Sequence, residues 1–171
     1  RDWGVTGVQT CALPILLYKA TQINPNYAAA HNNLGATLKE LGEYQNAINC
    51  CQKAIKINPN YADAHYNLGN VFKQLNEPQK AINYYQKAIE IEPSYINAHQ
   101  NLMDVCEKTN QITELKDAVS NARTFFKDNS IIKLYEGILL SRNEKFVEAK
   151  NCLELIRSEE HTSELQSHLN L

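Results

Sequence analysis

The sequence predicts an all-α fold, a right-handed α-solenoid of helix–turn–helix repeats. Three observations predict it. Pro25, Pro59 and Pro93 lie 34 residues apart, and so do Tyr27, Tyr61 and Tyr95, His31, His65 and His99, and Leu34, Leu68 and Leu102. A fixed period of that length marks stacked helix pairs, each burying its apolar face against its neighbours. Small residues recur in the same frame. With proline at position 32, position 8 is Gly35, Gly69 and Gly137, position 20 is Ala47, Ala81 and Ala149, and position 27 is Ala20, Ala54, Ala88 and Ala122. Side chains of that size let helix axes approach to about 8–10 Å. Third, no apolar run approaches the ~18 residues of a membrane span.

Each element follows in order. Residues 16–27 read as the end of a preceding repeat, 28–61 as the first full repeat, 62–95 as the second, 96–129 as a degenerate third and 130–156 as a truncated fourth. Within each frame the first helix is expected at positions 1–14 and the second at 16–30. Gly42, Asn76 and Asn110 share position 15, where a left-handed residue ends the first helix. Pro78 suits the first turn of the next helix. Asn-Pro at 24–25 and 58–59 stops the second helix, because a residue before proline avoids the α region. Larger side chains fill the core: Leu38, Phe72, Cys106 and Leu140 at position 11, and Leu17, Cys51, Tyr85, Val119 and Leu153 at position 24. Repeat three departs from the pattern, with Met103 for glycine, Leu115 for alanine and Lys127 for proline. Repeat four has Lys133 and Glu136 where histidine and leucine stand elsewhere, so altered packing is expected there.

The two ends do not share this frame. Residues 5–15 and 157–167 can be back-translated into nucleotide strings that are reverse complements over almost their whole length. The shared string resembles a sequencing-library adapter, so 1–15 and 157–171 are expected to be adapter-like artefact, and the repeats between them a piece of a longer protein. Setting the ends aside removes Arg1 and Arg157, and Asp2, Glu159, Glu160 and Glu164. The totals of 17 basic and 19 acidic residues then become 15 and 15, a neutral remainder. Neutrality argues against nucleic acid, whose affinity rests on phosphate neutralisation. Cys50, Cys51, Cys106 and Cys152 form no C-x-x-C pair and are expected to be free thiols in a reducing, cytoplasmic setting. Heavy use of Lys, Asn and Ile suggests AT-rich coding and a bacterial source.

The repeats resemble the tetratricopeptide repeat (TPR) family. The segments Ala30-His31-Asn32-Asn33-Leu34-Gly35 and Ala64-His65-Tyr66-Asn67-Leu68-Gly69 carry its first-helix motif, and Ala47, Ala54 and Pro59, with Ala81, Ala88 and Pro93, carry its second-helix motif. The resemblance implies a concave groove that binds an extended peptide or partner segment. In TPR arms of O-linked N-acetylglucosamine transferases, position-6 asparagines face the groove and hold peptide backbone. By that resemblance Asn33, Asn67 and Asn101 form a ladder, and Asn32, Tyr66, Asn70, Lys73 and Gln100 join them as candidate peptide-binding residues. Asp63, Gln74, Asn97, Asp104, Glu107 and Lys108 share groove-facing positions. A side-chain amide both donates and accepts, so it can pair with a peptide group. The alternative is that these amides hydrogen-bond between helices. A two-repeat carboxylate clamp, known in some TPR domains, is not expected, because Ile131 and Tyr135 stand at its last two places.

No phosphate loop, G-x-S-x-G or H-E-x-x-H occurs, so no enzyme activity and no cofactor are expected. Successive histidines of the ladder would stand about 10 Å apart, too far to share one metal, and packing is their expected role. The function read from the sequence is a protein-interaction module. The alternative is the substrate-recruiting arm of a larger glycosyltransferase or sulfotransferase, since similar arrays are joined to such domains in bacteria. Unfinished ends with apolar residues at Leu16, Leu17, Phe146, Val147, Leu153 and Leu155 suggest end-to-end self-association.

Overall fold

The computed structural model describes residues 6–142 together with Asn151, Glu154 and Ile156. The described residues form eight α-helices and no strand: α1 Thr6–Ile23, α2 Ala28–Glu40, α3 Tyr44–Ile57, α4 Ala62–Gln74, α5 Pro78–Ile91, α6 Ile96–Lys108, α7 Ile112–Phe125 and α8 Ser130–Arg142. In the 34-residue frame the first helices occupy positions 1–13 and the second helices 17–30. The expected boundaries are therefore met to within about a residue at each end. Residues 143–150 and 157–171 lie outside the description, and with them the expectations placed on Phe146, Val147 and the C-terminal end. At the other end, α1 runs from Thr6 through Pro14 to Ile23, so helix crosses the expected boundary between residues 15 and 16.

The turns follow the frame. Gly42 has φ 79°, and Asn76 and Asn110 both have φ 56°. Asparagine tolerates this region because its short polar side chain bonds locally. Here the left-handed residue closes the first helix, with Gly42 N–H donating to Lys39 O at 3.0 Å and Asn76 N–H to Lys73 O at 3.1 Å. Between pairs, the Asn-Pro turns are held by Asn24 and Asn58, whose side-chain oxygens accept from Asn26 N–H at 3.2 Å and Asn60 N–H at 3.1 Å.

The chain divides into two compact units, Arg1–Ala98 and His99–Leu171. In the first, the helix pairs pack through the small positions. A Cβ on Gly35 would lie 2.6 Å from Cys51 Sγ and 3.2 Å from the Ala47 carbonyl, and one on Gly69 would lie 2.7 Å from the Tyr85 ring. Ala47, Cys51, Ala54, Leu68, Ala81, Tyr85 and Ala88 are fully buried. The histidines clamp each first helix to the turn before it. Nε2–H of His31 donates to Pro25 O at 3.0 Å, and Nε2–H of His65 to Pro59 O at 2.9 Å. Facing a carbonyl, Nε2 must carry the proton, so these rings serve packing, as the sequence reading expects.

In the second unit Met103 and Leu115, which replace glycine and alanine, are both fully buried. The extra volume is taken up inside the unit rather than turned to solvent. His99 is also fully buried, with an edge-on contact to Phe126 at 5.6 Å. Arg142 reaches from α8 to the end of α6 and the turn after it, donating to Glu107 Oε1 at 3.0 Å and to Asn110 Oδ1 at 2.6 Å. Cys50, Cys51 and Cys106 are free thiols. Among the described residues, no helix is long and apolar enough to cross a membrane.

Candidate functional site

The polar candidates of the first unit fall on α2 and α4. These helices follow one another by one repeat, so residues at the same frame position share a face. The structure joins them through one direct bond: Asn67 donates its amide to Asn32 Oδ1 at 2.9 Å. Asn32 is only 4% exposed, and it also hydrogen-bonds the Tyr61 hydroxyl. Its amide contacts Asn33 Oδ1 only at the outer limit, 3.5 Å. Asn32 is thus an anchor beneath the face rather than a contact residue on it. Asn33 is exposed and Asn67 half-buried. Among the described residues, the Asn33 amide nitrogen and Asn67 Oδ1 have no hydrogen-bond partner.

Beside the asparagines lies a group of tyrosines. The half-buried Tyr66 ring is 5.0 Å from that of Tyr95 and 5.9 Å from that of Tyr85, tilted to both. The hydroxyls are fixed in turn. Tyr95 donates to Asp63 Oδ1 at 2.6 Å, and Tyr85 to Asn70 Oδ1 at 2.8 Å. Burial, and then the bond to and charge of Asp63, push the Tyr95 phenol well above its ordinary pKa, so it stays a donor at neutral pH. Burial likewise raises Tyr61, with the Asp63 charge adding to it. The face is therefore a floor of rings and locked amides, with Asp63 and Lys73 of opposite sign on α4. Such a surface offers ring stacking to apolar side chains and amide pairing to peptide groups.

Gln100 and Asn101 are half-buried on α6, in the second unit. Residue-type reading missed the roles of Tyr61, Tyr85 and Tyr95. Tyr61 and Tyr95 show in the sequence only as markers of position 34, and Tyr85 only as core filler. The available signal was that position 34 is tyrosine at 27, 61 and 95 while position 5 of the same repeat varies: Asn32 bonds Tyr61, and Tyr66 packs on Tyr95.

The first unit thus presents a polar and aromatic face on packed helix pairs. Residues 26–94 match the sequence model of the tetratricopeptide repeat, and the helix pairs have the fold of solved tetratricopeptide-repeat structures. Solved structures share its fold. A MamA structure is 20% identical with TM-score 0.79, over 95% of this chain and 97% of that one. MamA from Desulfovibrio magneticus RS-1 is 19% identical with TM-score 0.73, over 87% and 84%. YrrB, described as a TPR protein with an unusual peptide-binding site, is 18% identical with TM-score 0.71, over 96% and 85%. At such identities the likeness is one of fold. No curated protein matches the chain.

Proposed function

We propose that the face carrying Asn33, Tyr66, Asn67 and Asn70 binds an extended polypeptide segment, and that Asn101 is a peptide-binding residue of the second unit. Lys73 belongs to the first unit's face in this reading, and Gln100 joins Asn101 in the second unit. The observation that carries it is the Asn67–Asn32 bond, which orients the Asn67 amide from below. Its oxygen remains open as an acceptor for a peptide N–H, and the exposed Asn33 amide can donate to a peptide C=O. An amide held in one geometry loses little freedom on binding, which favours affinity. That YrrB is described as having a peptide-binding site supports the class of ligand. The free thiols Cys50, Cys51 and Cys106 suit a reducing, cytoplasmic setting.

The test is a peptide selected from a random library and titrated against wild type and N33A/N67A/N101A. Each hydrogen bond contributes roughly 0.5–1.5 kcal/mol, so the triple variant is expected to bind at least tenfold more weakly while keeping its helical circular dichroism. Unchanged affinity would reject the ladder. The reading of this chain as a recruiting arm for a transferase rests on the sequence resemblance of the same asparagines, and a peptide that binds here would be its candidate substrate segment.

A further inference from the structure

The first two repeats differ at one pair of core-edge positions. In repeat two, Phe72 of α4 and Tyr84 of α5 stack with ring centres 5.5 Å apart and planes only 7° from parallel, and Lys80 lies over Phe72 at 5.0 Å. The two rings lie between α4 and α5. In repeat one the same frame positions hold Leu38 and Cys50. Neither carries a ring, and a cavity of about 590 Å³ opens there between α1, α2 and α3. That volume is in the usual range for ligand pockets, about 300–1,000 Å³. Tyr18, Leu34, Leu38 and Cys50 give it apolar walls, joined by Pro14 and Ile15 from the segment expected to be adapter-like, and Lys19 and Glu43, of opposite charge, share the lining. None of these residues belongs to the asparagine face.

We propose that this cavity is a pocket for one aromatic side chain of a partner polypeptide, which takes the place that Tyr84 fills in the next repeat. The molecule supplies the template. At the equivalent place the chain's own solution is a flat ring, laid on the position-11 side chain with a charged group at its edge. In repeat one the position-11 residue is Leu38, an apolar surface for such a ring, and Lys19 and Glu43 are placed to meet the polar backbone that carries it. The cavity is open to solvent, which suits a ring projecting from a chain rather than a wholly enclosed molecule. The half-buried Cys50 thiol lines the wall. Its neutral form is favoured by burial, against the pull of Lys53, so the wall stays uncharged.

The experiment uses p-cresol, the tyrosine side chain detached from its backbone, in an NMR titration of the full chain. Saturable shifts centred on Leu34, Leu38 and Tyr18 are expected, with millimolar affinity for so small a probe. The L38F/C50Y variant rebuilds the repeat-two ring pair and should weaken p-cresol binding at least tenfold. C50Y alone is the second variant, in case the double one misfolds, and should also weaken it tenfold. A random peptide library should select one aromatic residue against wild type and lose that selection against the filled variant. Absence of shifts in wild type, equal p-cresol affinity in a folded filled variant, or selection of peptides without an aromatic residue would each overturn the proposal. N33A/N67A/N101A should leave the p-cresol response unchanged, which separates this pocket from the ladder.

Discussion

Asn67 donates its side-chain amide to Asn32 across 2.9 Å, although 35 residues separate them. The bond joins consecutive first helices through neighbouring frame positions, 5 on α2 and 6 on α4. Only one of them meets solvent. Asn32 accepts the Asn67 amide and meets the Tyr61 hydroxyl, so it satisfies two groups at once in a buried place.

Asn32→Ala should therefore destabilise the fold more than a surface asparagine would. The change strands the half-buried Asn67 amide and the Tyr61 hydroxyl, and an unsatisfied buried group costs about 1–3 kcal/mol. Asn33→Ala, on the exposed face, should stay within about 0.5 kcal/mol. Urea denaturation of both variants checks the contrast. Equal midpoints would mean that Asn32 bears no structural load.

Much of the fold was legible in the sequence because it is written 34 residues apart. Gly42, Asn76 and Asn110 were expected to be left-handed, and they are, since helix geometry alone requires such a residue there. The small residues at Gly35 and Gly69 were legible for the same reason. The site was only partly so. Periodicity gives the face on which Asn32 and Asn67 lie, but not which amide sinks beneath the other, because that depends on how far successive helices are offset. The Tyr95–Asp63 bond has the same cause: it spans 32 residues, nearly one full period, and no local rule relates its ends. The empty place beside Leu38 and Cys50 appeared in the sequence only as a loss of size, with no sign of what faced it.

Thiol chemistry gives a pH-dependent prediction. Burial, and then the charge of Cys50, push the Cys51 thiol up from 9.0 to about 12, against a smaller pull from Lys39. Between those values the folded state keeps a proton that the unfolded chain releases. The contribution is thus fully present below pH 9 and is lost as pH rises toward 12. The slope from one such group is at most about 1.4 kcal/mol per pH unit. Cys106, raised to about 11 by burial and then by Glu114, acts in the same direction. Stability measured at pH 8 and at pH 10.5 should fall less in Cys51→Ala than in wild type. A thiol reagent at pH 8 should label Cys50 before Cys51, and rapid native labelling of Cys51 would contradict its burial.

The outer side of α1 predicts association. Leu13 is 51% exposed, Leu16 62% and Ile23 85%, whereas Ala47, which holds the place of Leu13 in the next repeat, is fully buried. An apolar stripe on a helix favours contact with another apolar surface. Light scattering is expected to show growth with concentration, and L16K/I23K should reduce it. A concentration-independent monomer in wild type would sink the idea. Removal of residues 1–15 and 157–171 should leave most of the helical signal, since α2–α8 lie outside them. Loss of most of that signal would show that these ends hold the fold together.

The close approach at Gly35 gives the sharpest test of packing. In an exposed helix, glycine to alanine gains about 1 kcal/mol of helix propensity. Here the added Cβ would sit 2.6 Å from Cys51 Sγ, 3.2 Å from the Ala47 carbonyl and 3.3 Å from Cys51 N. The sulfur could rotate only into a fully packed core, since Cys51 has no exposed surface. The other two contacts are backbone and must yield by a few tenths of an ångström. Overpacking of that kind costs about 1–3 kcal/mol, so Gly35→Ala should destabilise despite its propensity. Cys51→Ala removes the nearest atom and leaves the backbone contacts in place. The double variant should therefore be more stable than the sum of the two single changes, by about 1 kcal/mol or more, yet still below wild type. Additive effects in denaturation would show that the backbone contacts alone decide the cost, and a stabilised Gly35→Ala would show that the two helices are not in close contact at this point.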